Sequence, residues 1–243
     1  MKASAPNRAD AGYVRSRTEN GSAWELDCHH SWGVGLFSVD SNGGVCDRGA
    51  LMDPLEGGHA YMLEQLGAQR VTSIEANSRA YLKCLIAGEL LRLQRVDFLF
   101  GDFIAYLRST DERYDAVIAS GVLYHMQNPV ELIELLSNVT DRIFLWTHYF
   151  DREVAAAKEE LAAKFSDSYA AEYKGFRHTL QRYHYGEALG WQGFCGGATG
   201  FTHWLSREDI LACIEHFGFN DIRIKFDHLD HPNGPALALV AMR

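Results

Sequence analysis

The sequence predicts an α/β fold, a doubly wound and mostly parallel sheet of seven strands with helices on both faces. Three observations predict it. From Gly49 to Phe150, short apolar runs alternate with stretches in which apolar residues recur at helical spacing. Turn residues mark the changeovers, and two further apolar runs joined by the turn-rich DHPNG close the chain as a hairpin. Strand and helix in alternation return through right-handed crossovers, which makes the strands parallel and covers both faces of the sheet.

Each element follows from its residues. GALMD reads as a buried strand and HAYMLEQLG as a helix that Gly67 stops. RVTSIEA is the second strand, and NSRAYLKCLIAGELLRLQ a helix capped by Asn77 or Ser78. VDFLFGD, the third strand, leads into the short helix FIAYLRST; YDAVIAS, the fourth, leads into PVELIELLSNV, with proline in its first turn. DRIFLWTHYF is the fifth strand. A long polar and aromatic segment then breaks the rhythm, helical by composition at its start but not at its end. SREDILACIEHFGF restores it as a helix capped by Ser206, with Asp209 placed as in a capping box and Gly218 as the stop. DIRIKFDHL and PALALVAMR supply the last two strands.

At 243 residues and 47% hydrophobic, the chain is long enough for one large core. Residues 1–22, rich in Ser, Asn, Arg, Gly and Ala, are expected to form a mobile tail, and the aromatic, glycine-punctuated residues 23–47 an irregular cap. Residues 48–243 form the main domain, with a substrate-lid insertion at about 151–205. A net charge of −9 argues against a generally basic nucleic-acid surface. No apolar run approaches the ~20 residues that span a bilayer, and the N-terminus has no signal-peptide apolar region, so a cytoplasmic protein without membrane contact is expected. The five cysteines are scattered and the histidines lack ligand spacing, which argues for free thiols and against a metal site. The oligomeric state is open, and a homodimer is compatible with it.

In a doubly wound sheet the ligand lies beyond the carboxyl ends of the strands. The first strand ends in Asp53-Pro54-Leu55-Glu56-Gly57-Gly58, whose glycines permit close backbone approach and whose following helix offers unpaired N–H groups. The second ends in Glu75-Ala76, a carboxylate ~20 residues on, suited to the two ribose hydroxyls of an adenosine cofactor. Asp102 and Phe103 end the third, an acceptor for an adenine amino group beside an aromatic face; Asp102 equally suits the N-cap of the next helix. Ser120, Gly121, Tyr124 and His125 lie at the end of the fourth. The bulky Pro54 and Leu55 and the acidic Glu56 disfavour a dinucleotide pyrophosphate, whereas a phosphate-free cationic cofactor tolerates them.

IEAN with Glu75, LFGDF with Asp102, and YDAVIASGVLYHMQNPVELI resemble the corresponding stretches of class I S-adenosylmethionine-dependent methyltransferases, a Rossmann-like family, over about residues 48–243. The last stretch is similar to that of tRNA uridine carboxymethyl-transferring enzymes and related bacterial methyltransferases, although the tRNA substrate is not carried over. The resemblance implies strand order 3-2-1-4-5-7-6 with an antiparallel last strand, and S-adenosyl-L-methionine as cofactor. Where the family ends its first strand in an acidic residue, a spacer and a glycine, this chain has Leu51-Met52-Asp53. A catalytically degenerate binding or regulatory subunit is therefore a second reading, and a tRNA-modifying enzyme a third.

Methyl transfer requires in-line alignment and, for some acceptors, removal of a proton. His125 is the first candidate base, with His148, Tyr149 and His203 near the mouth of the site; a histidine that locks the loop by hydrogen bonding is the alternative for His125. The acceptor expected is a small molecule methylated on oxygen or nitrogen. Trp191, Phe194, Phe201, His203 and Trp204, interleaved with glycines, suit either a flexible aromatic lid over a flat or sugar-like molecule or the core of an irregular subdomain, and Tyr124 at the end of the fourth strand is a further candidate to contact the substrate. Arg177 and Arg182 could meet an anionic group on it.

Overall fold

The computed structural model describes residues 57–191, 194 and 199–243, together with the backbone of three strands that precede them. The chain forms two units, Met1–Val45 and Cys46–Arg243. In the first, Val14–Arg17 (β1) pairs antiparallel with Trp24–Asp27 (β2), so β1 occupies part of the expected tail. The remainder of residues 1–47 lies outside the described residues.

The second unit runs Arg48–Met52 (β3), Gly58–Gln65 (α1), Arg70–Glu75 (β4), Ser78–Leu91 (α2), Val96–Phe100 (β5), Phe103–Ser109 (α3), Ala116–Ser120 (β6), Pro129–Val139 (α4) and Arg142–His148 (β7). There follow Arg152–Ala157 (α5), Glu159–Ala162 (α6), Phe165–Tyr173 (β8), Phe176–His184 (β9) and Phe201–Trp204 (β10), then Arg207–His216 (α7), Asp221–His228 (β11) and Ala236–Met242 (β12). One sheet has the order β11-β12-β7-β6-β3-β4-β5. Its strands from β3 to β7 pair in parallel, whereas β12 is antiparallel to both β7 and β11. Counting β3, β4, β5, β6, β7, β11 and β12 as one to seven, the order is 3-2-1-4-5-7-6.

Local chemistry sets the element ends. Gly67, at φ 102, ends α1 with paired bonds from Gly67 N to Glu64 O and from Ala68 N to Leu63 O. Asn77, rather than Ser78, caps α2, its Oδ1 accepting from Arg79 N and Ala80 N. Asp102 caps α3, and Asn128 caps α4 just before Pro129. Ser206 caps α7 by accepting from Asp209 N, but the capping box is half made, because Asp209 Oδ2 instead accepts from Thr179 N of β9 at 3.1 Å.

The core lies between the sheet and its helices. Ile74, Val117, Ile143 and Leu145 from the central strands join Leu132, Ile133 and Leu136 of α4 and Ile210, Cys213 and Ile214 of α7 in one cluster. The inner strands are buried along most of their length, as expected of parallel strands covered on both faces.

The described part of the insertion at about 151–205 holds a three-stranded antiparallel sheet, β10-β9-β8, preceded in the chain by two short helices. β8 has mostly solvent-exposed residues, so its composition carries no alternation to mark it as a strand. The insertion leaves and rejoins the main sheet at one point, where Phe150 N donates to Leu205 O at 2.8 Å. Its far end, the β8–β9 turn, is tied to α4 by an ion pair of 2.7 Å between Lys174 Nζ and Glu134 Oε1.

Candidate functional site at the carboxyl edge of the sheet

Parallel pairing of β3 through β7 brings the ends of these strands to one edge, together with the start of the antiparallel β12, where Ala236 is opposite His148. Asp53 and Glu56 lie outside the described residues. Gly57 precedes α1 at φ 77, in the left-handed region that favours glycine, and a Cβ there would stand 3.5 Å from Phe98 Cζ. Gly58 is open, with nothing within 4 Å of the position of a Cβ.

Glu75 ends β4 at only 2% exposure, and its Oε1 accepts from Asn77 N at 2.7 Å. Ala76 beside it is exposed. Gly101 N donates to Glu75 O, which joins the ends of β4 and β5. Asp102 is exposed, and its Oδ1 accepts from Ile104 N at 2.8 Å. Phe103 is buried in the main core, so its ring is not the open aromatic face expected there. After β6, Ser120 is half-buried and Gly121, at φ 81, donates its N–H to Trp146 O of β7.

Beside these strand ends lies a cluster of aromatic and imidazole rings. The Tyr124 ring lies 4.1 Å from that of His125 and 4.8 Å from that of His148. The Trp204 ring stacks parallel to those of His148, at 5.3 Å, and Tyr183, at 4.7 Å. At 2% exposure, Trp204 is part of the core and offers no platform to a substrate. The His231 ring lies 5.0 Å from that of His148.

Hydrogen bonding separates the expected bases. His148 Nδ1 lies 3.0 Å from Gly234 O and 3.1 Å from Pro235 O; carbonyls only accept, so Nδ1 bears the proton and Nε2 the lone pair. Burial lowers its pKa to about 4. His125 Nδ1 lies 2.6 Å from Tyr185 Oη, and burial, with a smaller contribution from nearby His148, lowers its pKa to about 3. Both rings are therefore neutral at pH 7.

His203 and Tyr149 are occupied otherwise than expected. His203 Nδ1 donates to Gln127 O at 2.6 Å, which leaves Nε2 to accept from Tyr169 Oη, also at 2.6 Å. Both nitrogens are thus engaged in bracing β10 against the segment after β6. Tyr149 donates to Asp227 Oδ1 at 2.7 Å, and burial, followed by this carboxylate, raises its pKa.

The other predicted substrate residues are scattered. Arg177 has a side chain 87% exposed and pairs with Glu172 near the β8–β9 turn, about 17 Å along β9 from Arg182 at strand spacing. Arg182 pairs with Asp167 at 3.4 Å and lies 4.6 Å over the Phe201 ring. Trp191 is 68% exposed. Tyr185 and Phe194 do reach the strand ends: their rings lie 4.8 Å apart, and Asn77 Nδ2 donates to Phe194 O at 3.3 Å. Tyr185, Tyr183 and His231 were not singled out from sequence; Tyr183 lies in β9 and Tyr185 just beyond its end.

Among the described residues, no group of three or more His, Cys, Asp or Glu side chains could hold a metal ion, and no helix is long and apolar enough to cross a membrane. No protein-family model matches the sequence, and no curated protein matches it. Solved structures resemble the fold. The N-terminal domain of EvdMO1, crystallised in the presence of SAH and D-fucose, is 19% identical, with a TM-score of 0.63 over 81% of this chain and 76% of that one. Magnesium protoporphyrin IX methyltransferase (ChlM) from Synechocystis PCC 6803, with bound SAH, is 16% identical, with a TM-score of 0.52 over 82% and 74%. An S-adenosylmethionine-dependent methyltransferase from Mesorhizobium loti is 13% identical, with a TM-score of 0.53 over 82% and 92%.

Proposed function

We propose that this chain, which has the fold of class I S-adenosylmethionine-dependent methyltransferases, transfers a methyl group from S-adenosylmethionine to the oxygen or nitrogen of a small-molecule acceptor. The observation that carries this reading is Glu75, a carboxylate 2% exposed at the carboxyl edge of a parallel sheet. A buried carboxylate calls for hydrogen-bond donors to meet it. Asn77 N–H is one such donor, and the two hydroxyls of a ribose would add to it.

The neighbouring residues fit the same cofactor. Gly57 has the left-handed conformation that lets backbone approach closely, and Gly58 leaves open space. Asp102 keeps an exposed carboxylate for an adenine amino group while it caps α3. Ser120-Gly121 border the edge from β6. When bound, S-adenosylmethionine supplies an electrophilic methyl on a sulfonium sulfur. This chain's own tasks are to orient the acceptor, exclude water and accept a proton. His125 and His148, both neutral, remain as the candidate proton acceptors, and the rings of Tyr124, Trp146, Tyr183 and Trp204 around them limit access of water.

A hydroxylated, sugar-like acceptor suits a site in which apolar rings present imidazole and phenol groups. The presence of D-fucose with the N-terminal domain of EvdMO1 is in keeping with that class. The test is calorimetric titration with S-adenosylmethionine and S-adenosylhomocysteine, followed by incubation with a panel of sugars and amines and mass-spectrometric detection of a singly methylated product. No binding of either ligand at sub-millimolar concentration would sink the reading. Salt-dependent tRNA affinity would turn it toward RNA modification.

A further inference from the structure

His125 and Tyr185 are 60 residues apart, one in the turn after β6 and the other in the insertion, and their side chains meet at 2.6 Å. The phenol is held in place from outside the pair. The Tyr185 ring packs edge-on against Phe194 at 4.8 Å and lies 5.8 Å from that of Tyr183. The imidazole is held by Tyr124 at 4.1 Å, in a turn that Thr202 Oγ1 fixes through Tyr124 O and Met126 O.

A hydrogen bond between a phenol and a neutral imidazole has two forms. Either Oη–H donates to Nδ1 and the ring proton sits on Nε2, or Nδ1–H donates to Oη and Nε2 carries the lone pair. A ring that takes up a proton has N–H groups at both positions, so only the second form survives protonation without rearrangement. We infer that Tyr185 is a positioning residue for His125: its phenolic oxygen accepts the Nδ1–H bond and thereby leaves Nε2 to take the acceptor's proton.

This inference rests on the methyl-transfer reading and narrows it to a hydroxyl acceptor, whose oxygen must lose a proton when it gains a methyl. The acceptor oxygen forms a bond to the methyl carbon, the carbon–sulfur bond breaks with its electron pair left on sulfur, and the O–H bond breaks with its proton passing to Nε2. Positive charge moves from sulfur to the imidazole, so the low-dielectric site holds one charge before and after. The groups that face His125 are the phenols of Tyr124 and Tyr185 and the imidazole of His148, which adds no net charge in its neutral form.

The experiment is nitrogen-15 NMR of the whole protein at pH 7, uniformly labelled and assigned through the backbone, in wild type and Tyr185→Phe. The expected wild-type result is a protonated Nδ1 and an unprotonated Nε2 in His125, with a mixture of tautomers in Tyr185→Phe. A proton on Nε2 in the wild type, or an unchanged tautomer in the variant, overturns the inference; if the variant fails to fold, the wild-type tautomer decides alone. Calorimetry with S-adenosylhomocysteine on the same samples separates the two claims. A wild type that does not bind it sinks the methyl-transfer reading, whereas a binding protein with the Nε2–H tautomer sinks only the role of Tyr185.

Discussion

Replacement of Glu75 by glutamine isolates the charge of the residue from its place in the fold. The carboxylate is 2% exposed, and its Oε1 accepts from Asn77 N at 2.7 Å. Glutamine has nearly the same volume, and its amide oxygen can keep that bond. It loses the negative charge and the second acceptor oxygen, and it turns a donor toward the ribose hydroxyls. Hydrogen bonds to a charged group contribute about 1.5–3 kcal/mol, and each 1.4 kcal/mol is tenfold in Kd, so Glu75→Gln weakens S-adenosylhomocysteine binding about 10- to 150-fold. Calorimetric titration of both proteins measures this, with thermal unfolding as the control. Equal affinities in two proteins of equal Tm would remove Glu75 from the cofactor site and take away the main support for the proposed function.

The remaining outcomes are narrower. In Tyr169→Phe, His203 Nε2 loses its donor, and stability falls by about 1 kcal/mol in urea unfolding while S-adenosylhomocysteine affinity is unchanged; a large loss of affinity would move His203 into the site. Gly234 stands at φ 111, where a Cβ would lie 3.1 Å from Trp204 Cζ3, and the Trp204 ring is stacked on those of His148 and Tyr183. Gly234→Ala is therefore expected to cost about 2–4 kcal/mol from strain and overpacking combined, and a wild-type urea midpoint would contradict that. Stability also depends on pH through His125 and His148, whose folded-state pKa values of about 3 and about 4 lie below the ordinary 6.5. Their contribution is constant above the ordinary value. Below it the unfolded chain takes up protons that the folded one refuses, so stability falls with pH by up to ~1.4 kcal/mol per unit for each ring. From these two rings urea unfolding at pH 7 and pH 5 should show a loss on the order of 4 kcal/mol, and His148→Gln should reduce it; an equal loss in the variant would mean that other groups carry the effect.

Much of the architecture was legible because it depends on neighbours in sequence. Asn77, Asp102 and Ser206 cap helices through bonds to N–H groups two or three residues on, and Gly67 and Gly218 end helices with the positive φ that glycine permits. The buried runs of β6 and β7 read as continuous apolar stretches. The insertion was not legible in the same way. β8 is exposed along most of its length, and His178 of β9 and Thr202 of β10 are buried polar residues, so periodicity pointed away from a sheet whose order comes from antiparallel pairing.

The sequence by itself determined the alternation of strand and helix, and with it the edge at which Gly57, Glu75, Asp102 and Gly121 gather, since parallel crossovers bring every strand end to the same side. Only the tertiary structure decided what each histidine does. His125 meets Tyr185 across 60 residues, His148 meets Gly234 across 86, and His203 is braced between Gln127 and Tyr169. An imidazole can donate or accept at either nitrogen, and its identity in the sequence is the same in all three places. The partner that reaches it through the fold fixes the proton on one nitrogen and leaves, or removes, a lone pair on the other.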